Sequence, residues 1–125
     1  MDDKQKCRCG VTYTMSIIGG KWKIIIICRL YEGVKRFGEL KRSIPGITTK
    51  MLTQQLRELE DKHVIHREVY KQVPPKVEYT LTKLGESIKP IISALNDWGS
   101  KNMDNGNADK KNKLDDRYKE EVLIK

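Results

Sequence analysis

No apolar run in this chain is long enough to cross a bilayer: the longest, Ile24 to Cys28, is five residues, where a span needs about 20. The opening MDDKQKCRCG has no basic leader followed by an apolar stretch, so the expectation is a cytoplasmic protein with no membrane partner. Cysteine is scarce and odd in number, three residues in all, which argues for reduced thiols and against a disulfide framework. Aromatics are few, with one Phe, two Trp and five Tyr, and few of them are placed for the base stacking on which RNA recognition relies. The chain also lacks a phosphate-cradling glycine loop and a nucleophile elbow, and no cysteine has a base and an orienting group at a suggestive spacing. Gly19-Gly20-Lys21 misses both the earlier glycine and the following Ser or Thr of a P-loop. Neither an enzyme nor a cofactor is expected. The C-x-C of Cys7 and Cys9 and the H-x-x-H of His63 and His66 match no common zinc pattern, so no metal is expected either.

What the chain does have is positive charge, unevenly placed. Residues 1–102 hold 19 Lys and Arg against 11 Asp and Glu, whereas 103–125 hold six of each, so the whole net charge of +8 sits in the part expected to fold. Such a field attracts polyanions, of which duplex DNA is the commonest; RNA and anionic membrane surfaces share the same attraction. At 125 residues the chain has room for one compact core. Residues 1–102 are expected to form it, with 103–125 a polar, mobile tail.

Periodicity orders the elements. VTYTMSII (11–18) reads as a short helix or arm ended by Gly19-Gly20, and a second helix from about Lys21 to Tyr31 places Trp22, Ile25, Ile26 and Leu30 three or four apart. Ile24 to Ile27 would equally suit a buried strand by propensity. Phe37, Leu40 and Ile44 define a short helix broken by Pro45-Gly46; Thr48 then caps a longer one with Leu52, Leu56 and Leu59 on one face. The period next falls to two over VIHREVY and VEYTL, two strands joined by Lys71 to Lys76. A last helix, capped by Thr82, carries the stripe Leu84, Ile88, Ile91, Ile92, Leu95 and Trp98, and Pro90 should kink it. The fold class is therefore mainly α with a small β-hairpin wing (α+β).

Two short helices joined by a Gly-containing turn and followed by a hairpin match a winged helix-turn-helix, whose second helix enters the major groove. Its outer face carries Thr48, Thr49, Lys50, Thr53, Gln54 and Arg57. Gln pairs bidentately with adenine, Lys or Arg with guanine, and Thr meets a thymine methyl. The acidic Glu58, Glu60 and Asp61 should lie beyond the contact zone. Lys71, Gln72 and Lys76 in the wing, and Lys35 and Arg36 ahead of the motif, are candidates for phosphate contacts. The alternatives are a plain solvated helix face and a winged-helix protein-interaction module without sequence-specific DNA binding.

Three segments, CGVTYTMSIIGGKW, RFGELKRSIPGITTKMLTQQLRELE and VPPKVEYTLTKLG, resemble the signatures of HxlR-type winged-helix regulators, a MarR-like family, over about residues 7–102. The resemblance implies a homodimeric repressor on a palindromic operator, with the N-terminal arm and last helix packing across a two-fold axis. The interface residues would be Val11, Tyr13, Met15, Ile88, Ile91, Ile92, Leu95 and Trp98, unless that stripe is core within one chain. It further implies a candidate thiol sensor at Cys9, 13 residues before Trp22, joined here by Cys7, with Lys4, Lys6 and Arg8 to favour thiolates. Cys9 otherwise packs as a small apolar residue at the interface, and the signal is then a small-molecule effector. Cys28 is expected in the core.

Overall fold

The computed structural model describes residues 9–109. They fall into two compact units, the first ending at Gly85 and the second starting at Glu86. Along the chain run α1 (Gly10–Ile18), α2 (Lys23–Leu30), β1 (Lys35–Arg36), α3 (Phe37–Ser43), α4 (Thr49–Asp61), β2 (Ile65–Tyr70), β3 (Lys76–Leu81), α5 (Lys83–Ser87) and α6 (Lys89–Asp109).

The strand-or-helix ambiguity at Ile24–Ile27 resolves as helix. Ile25, Ile26, Ile27 and Leu30 are all buried, and burying such side chains is worth about 1.5–3 kcal/mol each. The helix penalty of a β-branched residue is only several tenths of a kcal/mol, so packing overrides propensity. Cys28, expected in the core, is instead half-buried: the turn of the helix swings it off the face that Ile27 and Leu30 bury.

In the first unit, α3 and α4 form the helix-turn-helix. The turn between them carries Gly46 at φ +89°, a left-handed conformation that glycine adopts without cost. Thr48 caps α4, its Oγ1 accepting the Met51 N–H at 3.1 Å, and Leu52, Leu56 and Leu59 line the buried face. At the other end His63 takes φ +64°. Its N–H donates to Glu60 O (2.9 Å) and the Val64 N–H donates to Leu59 O (2.9 Å), the paired bonds of a Schellman cap with histidine where glycine is usual.

The sheet is three-stranded and antiparallel, in the order β1-β3-β2. The two longer strands lie where the alternation places them. The third, β1, is two residues long, too short for any alternation to register; Lys35 pairs with Tyr79 and Arg36 with Glu78. Ile65 pairs with Leu81 and Arg67 with Tyr79, so the side chains at 65, 67, 77, 79, 81 and 35 share one face of the pleat. Ile65 and Tyr79 bury that face at its root.

Thr82 ties the hairpin's exit to α5, its hydroxyl lying 2.6 Å from His63 O and accepting the Gly85 N–H at 3.1 Å. Pro90 does more than kink the last helix. The helix stops at Ser87 and restarts at Lys89, because proline has no N–H to donate and its ring would meet the carbonyl four residues back. In the second unit α6 continues to Asp109, past the boundary at 102; the rest of the tail lies outside the described residues.

Candidate nucleic-acid interface

The outward face of α4 follows from its inward one. With Leu52, Leu56 and Leu59 buried, the helical period leaves Thr49, Lys50, Gln54 and Arg57 exposed and Thr53 partly so. Thr48 is exposed as well, but its side-chain oxygen is engaged in the cap. Thr53 Oγ1 donates back to Thr49 O at 2.8 Å, which turns its methyl group away from that bond.

Two open depressions adjoin this face. One, of about 510 Å³, is lined by Lys50, Thr53, Gln54, Arg57 and Glu58. The other, of about 320 Å³, is lined by Phe37, Thr53, Arg57, Glu60, Arg67 and Tyr79 and runs from α4 to the inner face of the wing. Thr53 and Arg57 belong to both. Of the acids expected beyond the contact zone, Glu58 lines the first depression and Glu60 the second, because positions 54 and 58, like 57 and 60, are neighbours on a helix surface.

The cations divide into tied and untied. Lys23 on α2 holds Glu58 at 2.6 Å and Gln55 Oε1 at 2.9 Å. Lys35, in β1, lies 3.2 Å from Glu32. Lys76, expected at the wing tip, is the first residue of β3; its ammonium sits 4.5 Å from the Tyr70 ring centroid and 3.6 Å from Glu78. By contrast, Arg36, Lys50, Arg57, Arg67 and Lys71 have no ion-pair partner among the described residues. Lys71 and Gln72 stand exposed in the loop between β2 and β3, beside a fully solvent-facing Val73. Arg67, which lines the second depression, is a candidate that sequence reasoning misses, because a lone cation in an alternating strand looks like any solvated residue.

Lys23 holds Glu58 in its charged form, with a smaller contribution from the Gln54 amide, and depresses the carboxyl below the ordinary glutamate value. That contact spans 35 positions of sequence, which no local pattern reveals.

The residues expected at a dimer interface separate by burial. Val11, Tyr13 and Met15 on α1 are exposed, as are Ile91, Leu95 and Trp98, the last at 70%. Ile88 and Ile92 are already buried within the chain, so the uncovered part of the stripe is narrower than its periodicity suggests.

Cys9 is exposed and stands at the N-cap of α1. Its thiol is depressed below the ordinary value, chiefly by the Thr12 N–H, then by the Thr12 hydroxyl and the Val11 N–H. Unpaired amides at a helix N-terminus favour an anion. The basic neighbours Lys4, Lys6 and Arg8, and Cys7 itself, lie outside the described residues. His66 Nε2 meets Glu68 at 2.7 Å, and no group of three His, Cys, Asp or Glu poised for a metal occurs among the described residues. No single described helix is long and apolar enough to cross a membrane.

A model described as HxlR-like helix-turn-helix matches residues 17–107. The chain belongs to this family. Within the HxlR-like group it is similar to YdeP of Bacillus subtilis (strain 168), an HTH-type transcriptional regulator, at 57% identity over 77% of this chain and 75% of the relative. YtcD of the same organism, also an HTH-type transcriptional regulator, is 48% identical over 95% of this chain and 98% of its own length. Among solved structures, the redox regulator HypR in its reduced form superposes with a TM-score of 0.74 at 50% identity, covering 78% of this chain and 97% of that one. The winged helix-turn-helix architecture is common to the group.

Proposed function

We propose that this chain is a transcriptional regulator that binds duplex DNA sequence-specifically as a homodimer, acts as a repressor in the cytoplasm, and reads a palindromic operator. The observation that carries this reading is the outer face of α4, where uncharged Gln54 stands among untied Lys50 and Arg57 beside a wing bearing Lys71. Cations fix a protein on the phosphate backbone, whereas amide and guanidinium groups read base edges. Two such heads related by a two-fold axis would reach successive major grooves roughly 34–36 Å apart. The exposed apolar residues of α1 and α6 supply surface for that pairing.

Cys9 is the proposed sensing group, with a thiolate favoured by α1 and open to thiol-reactive species; a relative in the group is a redox regulator. Modification would discharge the thiolate that the α1 amides stabilise and alter the arm next to the paired surface. A small ligand bound at that surface is the competing signal, and insensitivity of operator affinity to diamide would favour it.

Binding measured against salt for duplex pools tests the assignment. Gln54→Ala should relax preference at one base pair by about 1–3 kcal/mol, while Lys71→Ala should weaken all sequences and flatten the salt dependence, by about one unit of slope for each phosphate the side chain neutralises. Equal effects of the two changes on specificity and on salt slope would defeat the division of roles. Binding no tighter than that of an unrelated basic protein would leave the winged helix as an interaction module.

A further inference from the structure

Gln54 is not free to present either end of its amide. Its Nε2 donates to Glu58 Oε2 at 3.2 Å, and an ionised carboxylate only accepts hydrogen bonds. The NH2 of Gln54, and not its Oε1, must therefore face Glu58. One N–H is spent there; one N–H and Oε1 remain. That remainder is one donor and one acceptor. In the major groove adenine offers one acceptor, N7, and one donor, its N6 amino group, whereas guanine offers two acceptors, N7 and O6. A glutamine with both N–H groups free could turn both toward guanine; this one cannot without giving up Glu58.

Glu58 holds its stance through Lys23. Nζ reaches Glu58 Oε1 at 2.6 Å and Gln55 Oε1 at 2.9 Å, so both acceptors are gathered on a single ammonium. The Lys23 side chain is only 13% exposed, and it rises from α2, whose neighbouring residues Ile25, Ile26 and Ile27 are anchored in the core. A nearly buried, core-anchored cation loses little entropy in fixing a surface carboxylate. It also cancels a negative charge that would otherwise stand beside DNA phosphates.

We propose that Lys23 and Glu58 are positioning residues that restrict Gln54 to reading adenine, an inference that rests on the DNA-binding reading above. The test is selection of duplexes from a random pool by the full chain, read by sequencing, for the unaltered protein and for Gln54→Ala, Glu58→Ala, Lys23→Met and Lys23→Arg. The unaltered protein should enrich adenine over guanine about tenfold or more at one position per half-site, as a bidentate pair allows. Gln54→Ala should flatten that position. Glu58→Ala and Lys23→Met should bring the ratio to within about threefold of unity there, leaving the other positions as they were, and Lys23→Arg should restore it. Melting curves in parallel separate a fold defect, which would lower enrichment at all positions together. An adenine-to-guanine ratio that stays at its original value in Glu58→Ala and Lys23→Met, or a position indifferent to Gln54→Ala, overturns the inference. If the unaltered protein enriches no sequence at all, the DNA-binding reading itself has failed.

Discussion

Replacing His63 by glycine should make the protein more stable. His63 sits at φ +64°, where an L-residue pays about 1–2 kcal/mol through the approach of Cβ to the carbonyl oxygen. Glycine avoids that cost but gives up about 0.5–1 kcal/mol to its larger conformational freedom when unfolded. The imidazole is exposed and makes no hydrogen bond with another described residue. The bond that matters, from the Thr82 hydroxyl to His63 O at 2.6 Å, involves only the backbone of position 63 and survives the change. The net expectation is a gain of about 0.5–1 kcal/mol, which for a domain near this size raises the melting temperature by roughly 2–8 °C. His63→Val is the control, because a β-branched side chain at positive φ is worse than histidine and should lower the melting temperature. Circular dichroism at 222 nm during heating reads both. A lower melting point for the glycine variant, or equal shifts of one sign for both, would refute the argument from backbone conformation. DNA affinity should be untouched, since the change lies at the far end of α4 from Thr49 and Lys50.

Gly85→Ala should be destabilising by about 1–3 kcal/mol, since a Cβ there would strike the Val64 carbonyl oxygen and lie 2.9 Å from Leu81 Cδ2; an unchanged melting temperature would show that α5 shifts freely. Cys9 should alkylate with iodoacetamide at a rate whose pH midpoint lies below that of an ordinary thiol, and Thr12→Val in a Cys7→Ser background should move the midpoint up, though only partly, because the Thr12 amide remains. The sign carries over to stability: a depressed thiol stabilises α1 above the ordinary thiol value, and that contribution fades as pH falls through the lowered one.

How much of this was legible in the sequence depends on the range of the interaction. Elements set by local rules were readable: the Thr48 cap, the Leu52, Leu56 and Leu59 face, the turn at Pro45-Gly46, and the two longer strands. Elements set by tertiary contact were not. The strand β1 exists only because β3 offers it partners, and at two residues it has no pattern of its own. The fate of Ile24–Ile27 was ambiguous because the same four residues satisfy a buried helix and a buried strand equally well. At the site, the exposed face of α4 followed from its apolar stripe, whereas the engagement of Glu58 by Lys23 did not. The stripe of the last helix was visible, but the burial of Ile88 and Ile92 within the chain, with Ile91, Leu95 and Trp98 left open, was not a property of spacing.

The division of the cations matters more for function than their number. A net charge of +8 gives attraction to any polyanion, and attraction without discrimination would hold a regulator on the wrong sequences. Lys23, Lys35 and Lys76 are each engaged by a carboxylate, so each adds little to that general attraction; releasing one toward a phosphate would cost its internal partner. The untied Lys50, Arg57 and Arg67 flank the depressions beside α4 and Lys71 stands in the wing loop; on the proposed reading the α4 cations face the groove and Lys71 meets backbone phosphate. Between them lies an uncharged amide whose direction is set by a carboxylate. That carboxylate repels phosphate and would weaken binding if unpaired, so its presence in the reading face makes physical sense only with a counter-cation held from behind. Lys23 meets that requirement, and it does so from the helix that follows the arm bearing Cys9.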